Sequence, residues 1–374
     1  MSKKIISVFG CSTDEREVDL VTETIQSQWL GLGDKVFNFE KAFKLKNNLS
    51  SFLMLDSGSN ALLLAVSLLK LPPNSEIILP SYTWVSCANS IVLAGHIPIF
   101  CDVDESSMNV TKELIQDKIT EKTAAIMIVH YAGLPVDMDE IISLGLPIIE
   151  DAAHAVCSTY KGMPCGNISE IGIFSFDSVK NLAAGEAGGI CARDDSLIQE
   201  AKKLRYCGIA KSGFQNATES TGASELWWEY EINRPFIKML PNNVSASIAL
   251  AQLDKIDHLQ ARRKAIWDFY QSEFSNHSNI KTPQDAQGDD RHSYFTYCIK
   301  VDRRNELAAH LLQKKIYTTL RYHPLHLYKT YNQQNIKLKN TEMLNKSALN
   351  IPLHPRLSDD EITYVVSTIK NFFK

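Results

Sequence analysis

Between Leu53 and Arg193, short apolar runs alternate with amphipathic stretches, and this alternation restricts the chain to few architectures. The runs are Glu76–Leu79, Ile97–Val103, Ala124–His130, Pro147–Asp151, Ile171–Phe176 and Gly188–Ala192; Ala61–Leu69 and Cys87–Leu93 carry helical spacing between them. Strands that are apolar throughout need cover on both faces, and intervening helices supply it. The pattern predicts an α/β fold built on a mainly parallel central sheet. From Asn243 the period becomes helical, with Val244, Ile248, Ala251, Leu253, Ile256 and Leu259 recurring at helix spacing. Ser293–Val301 and Ile316–Arg321 then read as strands and Asp359–Phe373 as a closing amphipathic helix. The expected division is a large domain over 1–242, N-terminal segment included, and a smaller α+β domain over 243–374. A chain of 374 residues can bury two such cores.

Two segments carry chemistry. Ile149-Glu150-Asp151-Ala152-Ala153-His154 ends one apolar run with a carboxylate, and Phe174-Ser175-Phe176-Asp177-Ser178-Val179-Lys180 ends another with a hydroxyl and an amine. Open α/β sheets bind ligands at the C-terminal ends of their strands. Pyridoxal 5'-phosphate (PLP) needs these groups: a lysine amine to hold it covalently, a carboxylate beside its pyridine nitrogen, and hydroxyls with backbone N–H groups for its phosphate. A carboxylate favours the protonated ring nitrogen on which the electron sink depends. A lysine in a partly dry site gains a lowered pKa and acts as nucleophile and then base. Gly58 and Ser59 open a helix near Ala61, where free N–H groups and the helix dipole suit a phosphate.

Bulk properties exclude other classes. The formal net charge is −4, and the chain lacks the long Lys/Arg run of a nucleic-acid binder. The basic start Met1-Ser2-Lys3-Lys4 leads into an apolar run too short for a signal-peptide core, and no stretch approaches a membrane span. The eight cysteines form no C-x-x-C pair, and the histidines have no zinc spacing, so no metal is expected. Free buried thiols point to a reducing cytoplasm.

The chain resembles the DegT/DnrJ/EryC1/StrS family of sugar aminotransferases, which have the aspartate aminotransferase fold (PLP fold type I). Besides the two segments above, the resemblance rests on Asp56-Ser57-Gly58-Ser59-Asn60-Ala61, Leu79-Pro80-Ser81-Tyr82-Thr83-Trp84, His130-Tyr131-Ala132-Gly133-Leu134-Pro135, Gly185-Glu186-Ala187-Gly188-Gly189, Ala249-Leu250-Ala251-Gln252-Leu253 and Arg321-Tyr322-His323-Pro324-Leu325-His326. It implies that Lys180 carries the cofactor and moves a proton, that Asp151 pairs with the pyridine nitrogen, and that His154 neighbours the ring. Trp84 is implied to stack on the ring, with Tyr82 competing for that role, while Ser59 and Ser175 supply phosphate hydroxyls. Relatives that dehydrate their substrate replace the lysine with histidine, so Lys180 argues for amino transfer. Arg321, His323 and His326 are implied to lie by the substrate.

Two positions depart from the family pattern. Ala187 stands where Gly-Glu-Gly-Gly is usual and narrows the allowed backbone angles. Leu240 stands where relatives carry an Asn or Arg reaching the neighbouring subunit's site, leaving Lys238 or Asn242 as substitutes. The implied activity is transfer of an amino group from L-glutamate to a nucleotide-linked keto-deoxy sugar, at C4 rather than C3, by a cytoplasmic homodimer with shared sites. Such products feed cell-surface polysaccharide, lipopolysaccharide included, or glycosylated metabolites. The alternatives are a keto-cyclitol aminotransferase and a non-catalytic PLP-binding sensor; the sensor requires a DNA-binding module, which is not seen in the sequence. The polar stretch Ala210–Arg234, with Leu226-Trp227-Trp228-Glu229-Tyr230, reads either as a cover for the substrate or as aromatics packed on the surface.

Overall fold

The computed structural model describes residues 5–210, 226, 228–333 and 335–374. Most of the Trp-bearing stretch discussed above, 211–225 and Trp227, therefore lies outside the described residues. In chain order the strands are β1 (Leu53–Leu55), β2 (Glu76–Pro80), β3 (Ile97–Cys101), β4 (Thr123–Val129), β5 (Ile148–Asp151), a small hairpin of β6 (Thr159–Tyr160) and β7 (Met163–Pro164), β8 (Ile171–Ser175) and β9 (Gly188–Ala192). All but the hairpin form one seven-stranded sheet in the order β1-β9-β8-β5-β4-β2-β3. It is parallel from β8 to β3, and β9 runs antiparallel to both neighbours. The predicted α/β class is what the chain adopts.

Strand periodicity divides the apolar residues between two cores. Ile78, Ile126, Ile128, Ile148 and Phe174 enter the core on one face. Ile77, Leu79, Met127, Ile149 and Ile173 enter the core on the other. Two helices near the N-terminus, α1 (Glu15–Gln26) and α2 (Asp34–Lys46), precede the sheet. From α2, Phe43 packs against Phe174 and Phe176 with ring centroids 5.2 and 5.1 Å apart. These rings flank Ser175, so α2 fixes the strand end that leads to Lys180. Removing a buried phenyl of this kind costs about 3–5 kcal/mol.

The smaller unit pairs β10 (Tyr297–Lys300) with β11 (Ala348–Ile351) in antiparallel fashion and covers them with the helices Ile256–Phe274, Arg304–Gln313 and Asp359–Phe372. Their apolar faces meet in a third core around Trp267, Tyr270 and Tyr297. Two expectations shift. The helix Asn243–Asp254 buries Ala246, Ala249 and Leu253 in the large core rather than opening the small domain. Ile6, expected in the large domain, joins the small core and bridges to Ile316. We therefore place the division near residue 255, with the first described residues on the small side. The expected strand Ile316–Arg321 is reduced to isolated bridges at Ile316 and Thr319.

Candidate active site

The register aligns the strand ends that build the site. Val129 pairs with Asp151, and Asp151 pairs with Ile173. Successive residues of β5 point to opposite faces. Glu150 goes inward, where its carboxylate accepts from Gly166 N at 2.7 Å, Ile168 N at 2.8 Å and His130 Nε2 at 3.1 Å. Burial pushes the Glu150 pKa up, but the hydrogen bonds from His130 and the turn outweigh it and hold the pKa below the ordinary value. Asp151 goes the other way, to a cavity of about 320 Å³ at the C-terminal edge of the sheet. It is 4% exposed. Its Oδ1 accepts from Ala153 N at 2.9 Å, and its Oδ2 accepts from the Cys87 thiol at 3.2 Å. Burial raises its pKa, a cost that a cation placed against it would reverse.

Lys180 faces the same cavity from the turn after β8. The turn is pinned by Lys180 N to Asp177 O at 2.9 Å, Ala184 N to Phe176 O at 2.7 Å, and Asn181 Nδ2 to Ser293 O at 2.7 Å. Burial, then the nearby Arg321 cation, bring the Lys180 pKa down to about 8 against the opposing pull of Asp151 and Asp177. The amine is thereby poised between its charged and nucleophilic forms at neutral pH.

A phosphate cradle lies at the start of α3 (Gly58–Leu68). Ser57 caps the helix by accepting from Asn60 N at 3.1 Å. Among the described residues nothing takes the N–H groups of Gly58 and Ser59. The close approach depends on missing side chains: a Cβ on Gly188 would lie 2.4 Å from Gly58 N, and one on Gly58 would lie 2.8 Å from Ser175 Cβ. Ser59 Oγ is 2.7 Å from Ser86 Oγ, a hydroxyl pair beside these N–H groups. The group set fits PLP: an amine, a buried carboxylate without a cation, and an anion cradle in one cavity. The Ala187 departure is absorbed, because the left-handed backbone falls on Gly185 (φ +81°) and not on Ala187.

His154, Trp84 and Arg321 also line the cavity. His154 stacks on Phe295 at 4.1 Å, and its Nε2 is 3.0 Å from Tyr322 Oη. Burial, with Lys180 and Arg321 nearby, pulls its pKa well down, so the ring is neutral. The two stacking candidates separate: Tyr82 is buried against Tyr131, whereas Trp84 is 53% exposed and lines the cavity. Phe9 and Tyr322, which the sequence reading did not single out as site residues, close the cavity from the small unit's side. A hollow of about 540 Å³ adjoins it beyond Trp84 and Tyr322, with His323 and Tyr328 in its lining.

One assignment does not survive. His326 is 0% exposed, bonded to Ser81 Oγ at 2.7 Å and placed 3.6 Å from Glu342, so it is a packing residue with no surface for substrate. Asn242 caps the helix Asn243–Asp254 by accepting from Ser245 N at 2.8 Å, which leaves its amide N–H groups exposed. Lys238 is exposed and lies outside the cavity of its own chain. Among the described residues no group of His, Cys, Asp or Glu has a metal-holding arrangement, and no helix is long and apolar enough to cross a membrane.

A lysine, a buried aspartate and an anion cradle at the C-terminal edge of this sheet define a PLP-dependent aminotransferase of fold type I. The profile of the DegT/DnrJ/EryC1/StrS aminotransferase family matches residues 11–370, and the chain belongs to that family. The chain is 33% identical over 93% of its length to dTDP-4-dehydro-2,3,6-trideoxy-D-glucose 4-aminotransferase of Saccharopolyspora spinosa, covering 92% of that protein. It superimposes on the aminotransferase TlmJ of Streptoalloteichus hindustanus with a TM-score of 0.92, at 32% identity and 99% coverage of both chains. It also matches Spr1654 of Streptococcus pneumoniae in its PLP form, with a TM-score of 0.88 at 27% identity and 97% coverage of both chains.

Proposed function

We propose that this aminotransferase moves an amino group from L-glutamate to C4 of a nucleotide-linked keto-deoxy sugar. The observation that carries the reading is the Lys180 amine, with a pKa of about 8, set in the same cavity as the buried Asp151. Bound PLP supplies the electron sink and carries the amino group between the two substrates. Asp151 would hold the positive charge on the ring nitrogen of the bound cofactor, and the Cys87 thiol and Ala153 N–H fix the carboxylate's orientation. Lys180 would take the proton from the donor's α-carbon and later donate one to the carbon that receives the amino group. His154, held by Phe295 and Tyr322, lines the cavity without adding a charge of its own.

The substrate class is supported by the Saccharopolyspora spinosa relative, whose name specifies amination of a dTDP-linked sugar at C4. The adjoining hollow lined by Trp84, Tyr322, His323 and Tyr328 gives flat faces for a sugar or nucleobase. Residues 238–243 are the segment we assign to a crossover between two subunits, with Lys238 reaching the partner's cleft. The cytoplasm is the compartment consistent with eight unpaired cysteines. The test is to aminate the enzyme with L-glutamate and present nucleotide-linked 4-keto sugars, 3-keto sugars and a keto-cyclitol. Fastest return of the cofactor's original absorbance with a 4-keto sugar supports the reading. Fastest return with the cyclitol overturns the substrate class.

A further inference from the structure

Arg321 is only 6% exposed and lines the cavity with Lys180. Its guanidinium carbon lies 4.2 Å from the Phe9 ring centroid and 4.8 Å from that of Phe295. Its NH1 reaches Tyr322 Oη at 3.5 Å, and its Nε has no partner. Among the described residues no carboxylate stands within ion-pair distance of it. An always-charged planar fork buried between two rings, with donors left open, is costly unless an anion completes it. The charge also opposes Lys180, whose pKa it helps to lower.

We propose that Arg321 is the receptor for a carboxylate of the amino-acid donor and not for the sugar's diphosphate, an inference that rests on the amino-transfer reading above. Distance admits the small anion. Lys180 Nζ stands 4.9 Å from the same Phe295 centroid that lies 4.8 Å from the Arg321 guanidinium, so the two cations are less than about 10 Å apart. That gap suits an amino acid whose nitrogen takes over from Lys180 and whose carboxylate meets Arg321. Volume points the same way. A cavity of about 320 Å³ is at the small end for ligand sites and must hold the cofactor as well. A nucleoside diphosphate has to extend out of it, past Trp84 and Tyr322. The chemistry fits too, since the arginine fork meets a carboxylate through two parallel hydrogen bonds, and the Phe9 and Phe295 rings keep water from them. The keto sugar has no carboxylate, so Arg321 acts in one half of the cycle.

The test compares PLP-loaded wild type with Arg321→Gln and Arg321→Lys. Amination by L-glutamate is followed by absorbance, with hydroxylamine as a nucleophile that has no carboxylate. The affinities for dTDP and UDP are measured by calorimetry. Arg321→Gln is expected to weaken apparent glutamate binding by about 30-fold or more, with hydroxylamine reactivity and nucleotide affinity within about threefold of wild type. Arg321→Lys keeps the charge and loses the fork, and recovers part of the glutamate affinity; it carries the test alone if the glutamine variant does not fold. Equal losses toward glutamate and hydroxylamine would overturn the assignment, as would a selective loss of dTDP or UDP affinity. Failure of every amino acid to aminate the wild type defeats the underlying reading instead.

Discussion

Covalent capture of PLP by the cofactor-free protein should switch on as pH rises through about 8. Burial and Arg321 lower the Lys180 pKa from the ordinary 10.5 to about 8. A lowered lysine pKa means that the neutral, reactive amine is present above about pH 8 and lost below it. At pH 7 the neutral fraction is then about 10%, against about 0.03% for an ordinary lysine, a gain of roughly 300-fold. The assay mixes cofactor-free protein with PLP in a stopped-flow instrument and follows the lysine-bound chromophore from about pH 6 to pH 10. Running N-acetyl-lysine amide alongside cancels the cofactor's own ionisations. The capture rate should rise about tenfold per pH unit below 8 and level off above it. Arg321→Gln should move the midpoint up by removing a like charge, and Asp151→Asn should move it down by removing an opposite one. A midpoint near that of the free lysine derivative, or shifts in the reverse directions, would refute the reasoning.

Asp151→Asn should lower turnover by about 3 kcal/mol, roughly a hundredfold or more, while the thermal midpoint changes little; steady-state rates and calorimetry check this. Gly188→Ala should destabilise the fold by about 1–3 kcal/mol and loosen PLP binding, because the new Cβ meets the backbone of Ser57 and Gly58; equilibrium dialysis against PLP and denaturant titration read both effects. His326→Ala should cost about 1–3 kcal/mol of stability by removing the ring nitrogen that pairs with the buried Ser81 hydroxyl, which keeps only the backbone N–H of residue 326, and should leave the KM for both substrates unchanged. Mixed dimers of Lys180→Ala chains with Lys238→Ala chains should regain part of the activity if sites are shared across subunits.

The sheet, and the meeting of Asp151 with Lys180 in one cavity, were readable because each rests on local signals. Apolar runs marked six of the seven sheet strands, β9 at both ends, and missed only the three-residue β1. Asp151 and Lys180 follow such runs, so strand direction alone brings them to one edge. The helices α1 and α2 went unremarked although Asp14 and Glu17 form a capping box and Val36, Phe39 and Phe43 share a face. Phe9 and Tyr322 escaped the site reading because their role depends on the small unit folding over the sheet edge, a long-range contact without a local pattern. His326 and Arg321 sit in one polar segment, and only packing decides that Arg321 lines the cavity while His326 is buried against Ser81. The domain boundary slipped because Asn243–Asp254 is helical like the segment after it, and periodicity does not say which core a helix joins.

The point of cofactor attachment gives the most direct test of the site. The PLP-loaded protein is reduced with borohydride, digested, and the modified peptide located by mass spectrometry. A single pyridoxyl group is expected on Lys180, within the peptide that contains Ser178 and Asn181. A group on another lysine, such as the exposed Lys161 that pairs with Asp139, would contradict it.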